Sequence, residues 1–237
     1  MFAFKNVMKE LRFLKFMVLV CILMIPVLII LFLRGFTQNQ YDIPVLFENG
    51  VEDPFGVCDY PEGQQHYIPE FTFLSHENAP IGRSEMGNKI TVVDFFFTSC
   101  PSICPVMSTE MERVQDAFRN NPEVQIYSIS IDPEYDSPEV LAEYGALHGA
   151  TSGKWFFLTG PKEETLNLAR CGFALPIVDG KGNPDDFVHS DKFILIDGEG
   201  RIRGYYSGTE REEVDKLILE TKILLYELEN KKTQSSK

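Results

Sequence analysis

The chain has 237 residues, 44% of them hydrophobic, and a formal net charge of −13 at pH 7. That length holds one ordinary domain with additions, and the acidic balance argues against nucleic acid as a partner, because phosphates are held by clustered Lys and Arg. The charge is unevenly placed: residues 1–35 carry Lys5, Lys9, Arg12, Lys15 and Arg34 against Glu10 alone, so the remainder is an acidic body suited to basic or neutral partner surfaces.

The first element is an uninterrupted apolar run from Phe16 to Leu33, near the lower length limit for a helix crossing a bilayer. Pro26 lies inside it, which membrane helices tolerate better than soluble ones. Four basic residues precede the run and one follows it. The positive-inside rule then makes residues 1–15 a cytoplasmic N-terminus, 16–34 a single transmembrane anchor, and places the rest outside the cytoplasm. A cleaved signal peptide is the alternative, but no small-x-small cleavage site follows Leu33 and the run is long for a signal core. A lipoprotein signal would need a small residue before Cys21, where Val20 stands. Cys21 is then a lipid-embedded apolar residue.

Residues 35–66, rich in Gly, Pro, Asn and Gln, read as a linker and lead-in to a domain over 67–229. Ile68 to Leu74 alternates as a short edge strand, and Ile90 to Phe97 is a buried strand. Met107 to Phe118 has the spacing of an amphipathic helix. Val124 to Ile131 is the next strand. Ser137-Pro138 then starts a helix through about His148, a capping residue followed by Pro in the first turn. Trp155 to Leu158 is a strand, Lys162 to Arg170 a short helix, and Phe173 to Val188 irregular. Lys192 to Ile196 and Arg201 to Tyr206 flank Asp197-Gly-Glu-Gly200 as a hairpin. Glu210 to Glu229 is a closing helix, and 230–237 a disordered tail. The order of two parallel crossovers, an antiparallel hairpin and a closing helix predicts an α/β, thioredoxin-like fold: a central mixed sheet with flanking helices.

The candidate site is the pair Cys100 and Cys104 in Thr98-Ser-Cys-Pro-Ser-Ile-Cys-Pro105. A four-residue spacing returns both sulfurs to one helical face about a turn apart, and a helix N-terminus stabilises thiolates. Such a pair holds a soft metal ion or cycles with a disulfide. Thioredoxin-type redox pairs have two intervening residues; three stand here, which leaves room for an ion without forbidding a disulfide. Of the four histidines, His66 and His76 sit in the lead-in and first turn, and His148 follows a helix end. His189, in Asp185-Asp-Phe-Val-His-Ser-Asp191, lies just before the Lys192 strand, whose start approaches the thiol motif in the predicted fold. Two sulfurs and one imidazole suit copper, whereas zinc usually wants a fourth ligand. Cys58 and Cys171 remain. In an oxidising compartment they are expected to pair, the alternative being two unrelated buried thiols.

The segment Asp94-Phe-Phe-Phe-Thr-Ser-Cys-Pro-Ser-Ile-Cys-Pro105 resembles the signature of the SCO/SenC family of copper chaperones. So do Ser128-Ile-Ser-Ile-Asp-Pro-Glu-Tyr-Asp136 with the helix after it, Trp155-Phe-Phe-Leu-Thr-Gly160, and His189 running into Phe193-Ile-Leu-Ile-Asp-Gly198. The resemblance covers roughly residues 67–227. It implies a membrane-anchored thioredoxin-like domain that binds copper, as Cu(I) or Cu(II), one ion per domain, through Cys100, Cys104 and His189. It further implies delivery to the dinuclear copper centre of cytochrome c oxidase subunit II or another cuproprotein, an upstream periplasmic copper donor, a thiol reductant, and residence in the inner membrane. Asp132 falls in the family's Asp-Pro motif, where a role in loop structure is expected. Tyr135 stands where the family often has Arg.

The main alternative is a thiol–disulfide oxidoreductase that uses Cys100 and Cys104 to reduce the target cysteines before metallation. Such enzymes place a Pro just before the antiparallel strand, and Val188-His-Ser-Asp-Lys192 has none, which favours metal binding. A peroxiredoxin-like peroxidase would need an activating Thr or Arg, for which Thr98 is a candidate. A pure interaction domain leaves the cysteine pair unexplained.

Overall fold

The computed structural model describes residues 2–36, 43–52, 58–175 and 190–235; for 2–12, 33–36 and 235 it describes the backbone alone. The chain forms two units, residues 1–42 and 43–237. The first is one helix, α1 (Phe2–Phe36), with Pro26 inside it. Its stretch Phe13–Phe32 is long and apolar enough to cross a membrane, and Cys21 lies exposed on it.

The second unit is a seven-stranded mixed sheet in the order β2-β1-β5-β4-β3-β6-β7. β3 (Ile90–Phe96) and β4 (Val124–Ser130) pair in parallel, as do β4 and β5 (Trp155–Thr159). β6 (Lys192–Ile196) runs antiparallel to β3 and forms a hairpin with β7 (Ile202–Ser207). The turn of that hairpin needs Gly200 at φ +83°, a conformation that costs a residue with a Cβ. On the other side, β1 (Thr72–Ser75) joins β5 and is closed by β2 (Pro80–Gly82).

Every residue of β3 and of β4 is buried, because helices and lead-in cover both faces. Val92 and Phe96 face a core shared with Met107, Met111, Trp155, Phe157 and Leu217. Val93 and Phe95 face a second core with Tyr127, Leu158, Leu168 and Phe173. The crossover helices are α3 (Cys104–Ala117) and α4 (Pro138–Leu147), preceded by the one-turn α2 (Arg83–Met86). α5 (Lys162–Asn167) continues into a π-helical turn, Leu168–Gly172, and α6 (Arg211–Ser235) closes the unit.

Several elements differ from expectation. The leading edge is a hairpin, not a single strand over Ile68–Leu74: Ile68 instead donates its N–H to Gly200 O. Residues from Ile43 onward, read as part of a linker, belong to the folded body. Ile43 is a core residue, Leu46 donates to Ile202 O, and the buried Arg203 guanidinium donates to the Ile43 and Pro44 carbonyls while pairing with Asp197 and Glu227. The tail read as disordered from residue 230 is helical to Ser235, because Lys231 pairs with Glu199 and Lys232 with Glu123 across the end of the sheet.

Candidate metal and thiol site

β3 ends at Phe96, and the chain makes a tight turn in which Cys100 N–H donates to Phe97 O at 3.2 Å. Cys100 therefore lies before the helix, not on it, whereas Cys104 is the first residue of α3, followed by Pro105 in the first turn. The expectation that both cysteines share a helical face is corrected. The two are neighbours because the loop folds back over the helix start, with Pro105 tolerated where a helix has no intrahelical partner for its N–H. Both side chains are buried, Cys100 at 5% exposure and Cys104 at 3%, and both are free thiols.

Their acidities diverge. Burial pushes the Cys100 thiol up, but the hydrogen bond from the Cys104 thiol and the backbone N–H groups of Ser102 and Cys104 outweigh it and leave Cys100 below its ordinary value. The Ser102 hydroxyl lies 3.7 Å from the same sulfur. Cys104 is pushed up to about 12, first by burial, then by its bond to Cys100, against the Phe97 N–H that favours its thiolate. The arrangement is a thiolate-prone outer sulfur cradled by helix-start N–H groups and a thiol beneath it that keeps its proton.

Below the pair, Asp94 is buried in β3 and accepts from the Ser128 hydroxyl, which in turn accepts from Trp155 Nε1–H at 2.8 Å. Burial lifts its carboxyl to about 7, offset in part by Ser128 and by its own N–H. Tyr144 on α4 packs on Phe96, with ring centroids 5.3 Å apart, and shares a 2.8 Å hydrogen bond with Ser108.

Beside the pair, Thr98 is tied to Asp136, which accepts from both its N–H (3.1 Å) and its hydroxyl. Thr98 thus has its hydroxyl committed away from the sulfurs, which removes the feature that the peroxidase alternative required. Asp132, whose carboxyl is raised first by burial and then by Asp136, closes the β4–α4 turn: its carbonyl accepts the N–H groups of Tyr135 and Asp136. Asp136 is the site residue that sequence reasoning missed. A signal for it existed in Ser128 and Ser130, two hydroxyls at alternate positions of a fully buried strand, each donating to a buried carboxylate.

His189 lies outside the described residues. The antiparallel register of β6 against β3, with Val93 opposite Ile194 and Thr91 opposite Ile196, puts the start of β6 at the sheet edge where β3 delivers the thiol loop. The other three histidines are engaged elsewhere. His66 Nε2 is 2.8 Å from Gly172 O, His76 Nδ1 accepts the Phe157 N–H at 3.2 Å, and His148 Nδ1 is 2.7 Å from Glu112 Oε1. Among the described residues, no group of three His, Cys, Asp or Glu side chains could hold a metal ion. The two sulfurs alone are a soft donor pair of the kind that suits Cu(I).

Cys58 and Cys171 are disulfide-bonded, Cα–Cα 5.5 Å, across a sequence separation of 113. The bond joins the lead-in to the π-helical turn and borders the same cleft as Phe73 and Leu168, which belong to the core on the sheet face opposite to the one that takes in Cys100 and Cys104. His66 and Tyr60, whose hydroxyl donates to Arg170 O, clasp the same turn.

The SCO1/SenC family profile matches residues 60–223. The chain belongs to the SCO1/SenC family. Among its SCO1/SenC relatives, the SCO1 protein homolog of Bacillus subtilis is 28% identical over 156 residues, 65% of this chain and 81% of the relative. A putative copper-binding protein of Stutzerimonas stutzeri is 27% identical over 146 residues, 60% of this chain and 70% of the relative. The crystal structure of a SCO1/SenC family lipoprotein from Bacillus anthracis superposes with a TM-score of 0.62 at 27% identity, over 68% of this chain and 96% of that one. BsSco, described as a member of the Sco family of cytochrome c oxidase assembly proteins with a disulfide switch, superposes at 0.59 with 28% identity, over 68% and 94%. These neighbours share the thioredoxin-like architecture described above, the mixed sheet with its flanking helices.

Proposed function

We propose that this SCO1/SenC protein is a membrane-anchored copper chaperone that carries one copper ion on Cys100, Cys104 and His189 and passes it to the dinuclear copper centre of cytochrome c oxidase subunit II or a similar cuproprotein. The observation that carries this reading is the pair of free, buried thiols of unequal acidity at the edge where β3 and the start of β6 meet. Cys100, the more readily ionised sulfur, takes the incoming ion, and the ion then displaces the proton of Cys104. Engagement of His66, His76 and His148 in other bonds leaves His189 as the imidazole for the third position, and a copper-binding relative supports the identity of the cargo. Transfer follows by ligand exchange, in which the target's cysteines replace Cys100 and Cys104 one at a time.

The helix α1 with its basic N-terminal flank supports anchoring in the inner membrane with the acidic body outside the cytoplasm, and the Cys58–Cys171 bond fits an oxidising compartment there. In that setting an upstream periplasmic copper donor supplies the ion and a thiol reductant keeps the pair reduced. The anchor at 16–34 follows the same reading, with the thioredoxin-like domain of 67–229 extended at both ends by the lead-in from Ile43 and the last turns of α6.

The second reading, a thiol–disulfide reductase acting on the target cysteines, is favoured by the low-pKa Cys100 above a protonated Cys104. The Cys100 thiolate attacks the target disulfide, one target thiolate leaves, and Cys104 then gives up its proton, closes the Cys100–Cys104 disulfide and releases the second target thiol. Titration of the reduced full chain in detergent with Cu(I) separates the two. One ion bound, with affinity lowered roughly a hundredfold in His189→Ala, supports the chaperone. Undiminished binding in that variant removes His189 from the site, and rapid reduction of a target disulfide without copper favours the reductase.

A further inference from the structure

The geometry points to Asp136 as the residue that positions Cys100, acting at one remove through the Phe97–Thr98 peptide unit. Asp136 is fully buried, at 0% exposure. One carboxylate oxygen accepts the Thr98 N–H at 3.1 Å and the Ser130 hydroxyl, and the other accepts the Thr98 hydroxyl. Three donors converge on two oxygens. A carboxylate satisfies all three because it carries acceptors only, whereas an amide would turn an NH2 toward one of them.

A peptide unit is planar, so the bond that holds Thr98 N–H also fixes the direction of the Phe97 carbonyl on the opposite side of the same plane. That carbonyl accepts the Cys100 N–H at 3.2 Å. Asp136 thereby governs where Cys100 sits, without touching it. Its own place is rigid. Asp136 N–H donates to Asp132 O at 2.9 Å, Ser137 next to it caps α4, and Ile131 N–H to Phe96 O at 2.9 Å extends the β3–β4 pairing up to the turn. The carboxylate is a brace between the ends of two adjacent parallel strands, and the thiol loop hangs from it.

The brace rests on the geometry of the loop and holds whether the pair serves copper or disulfide exchange. Its test therefore uses no metal: the ratio of Cys100 to Cys104 alkylation by iodoacetamide at pH 7, read peptide by peptide in the reduced full chain in detergent. Asp136→Ala is expected to lower that ratio roughly tenfold, the effect of losing about one charge-assisted hydrogen bond, and Asp136→Asn to lower it less. Ser137→Ala, which weakens the neighbouring helix cap but leaves Thr98 tied, is expected to lower the melting temperature and keep the ratio. The proposal is overturned if Asp136→Asn folds with the parental ratio, or if Ser137→Ala changes the ratio as much as the Asp136 variants do. Should Asp136→Ala fail to fold, Thr98→Val, which removes one of the three bonds, gives the same reading: an unchanged ratio there also sinks the brace.

Discussion

Cys100 and Cys104 are both raised by burial, but their mutual interaction and the nearby backbone N–H groups leave Cys100 below its ordinary value and Cys104 well above it. Cys100 is therefore the sulfur that reacts first. Alkylation at pH 7 is expected to label Cys100 well before Cys104, and Cys104→Ala is expected to slow Cys100 labelling, because the donor that favours its thiolate is gone. Equal labelling of both thiols in the parent would contradict this assignment.

Copper uptake should be coupled to protons. Since Cys104 holds its proton up to about pH 12 in the metal-free protein, a two-thiolate site at pH 7 forms only by expelling it. Calorimetric titration in buffers of different ionisation enthalpy is expected to show release of at least about one proton per ion, and affinity that rises with pH between 6 and 8 by roughly tenfold per unit per proton. Binding without proton release would mean that Cys104 is not a ligand.

Asp94 makes stability depend on pH in an unusual direction. Its folded value of about 7 lies above the ordinary 3.8, so between these limits the folded state keeps a proton that the unfolded chain has released. Stability is fully present below pH 4 as far as this group is concerned and is lost as pH rises through 7, by about 4 kcal/mol in all. Asp94→Asn, whose carbonyl still accepts from Ser128, is expected to abolish that slope. Urea denaturation at pH 5 and pH 8 measures it, and an equal pH dependence in the variant would show that the carboxyl is not the source.

The Cys58–Cys171 bond closes a long loop and pins the lead-in to the turn after α5. Cys58→Ser with Cys171→Ser is expected to destabilise the folded body by about 3 kcal/mol. In the parent, thiol counting on the denatured full chain should find the three free cysteines, Cys21, Cys100 and Cys104, before reduction and all five after it. Five free thiols in protein isolated under oxidising conditions would rule the bond out.

Much of the framework could be read from the chain itself. Strands β3 to β6 and helices α3 to α6 follow from local periodicity and from Ser137-Pro138 and Asp197-Gly-Glu-Gly200, all of which act over a few residues. The short β2, the π-helical turn and the extra turns of α6 could not be read this way, since each depends on a contact distant in sequence: the docking of β1 on β5 that gives β2 its partner, the Cys58 tether, and the acidic residues Glu199 and Glu123.

The thiol site divides along the same line. The sequence by itself determined which atoms are present, two sulfurs in a Cys-x3-Cys motif after a buried strand, because donor identity and spacing are written in the residues. Only the tertiary structure decided that Cys100 lies off the helix, that the two thiols shift in opposite directions, and that Asp136 holds the turn on which Cys100 sits. Acidity and position are set by burial and by hydrogen bonds from groups on separate elements, and these meet only when β3, β4 and the start of α3 are packed together.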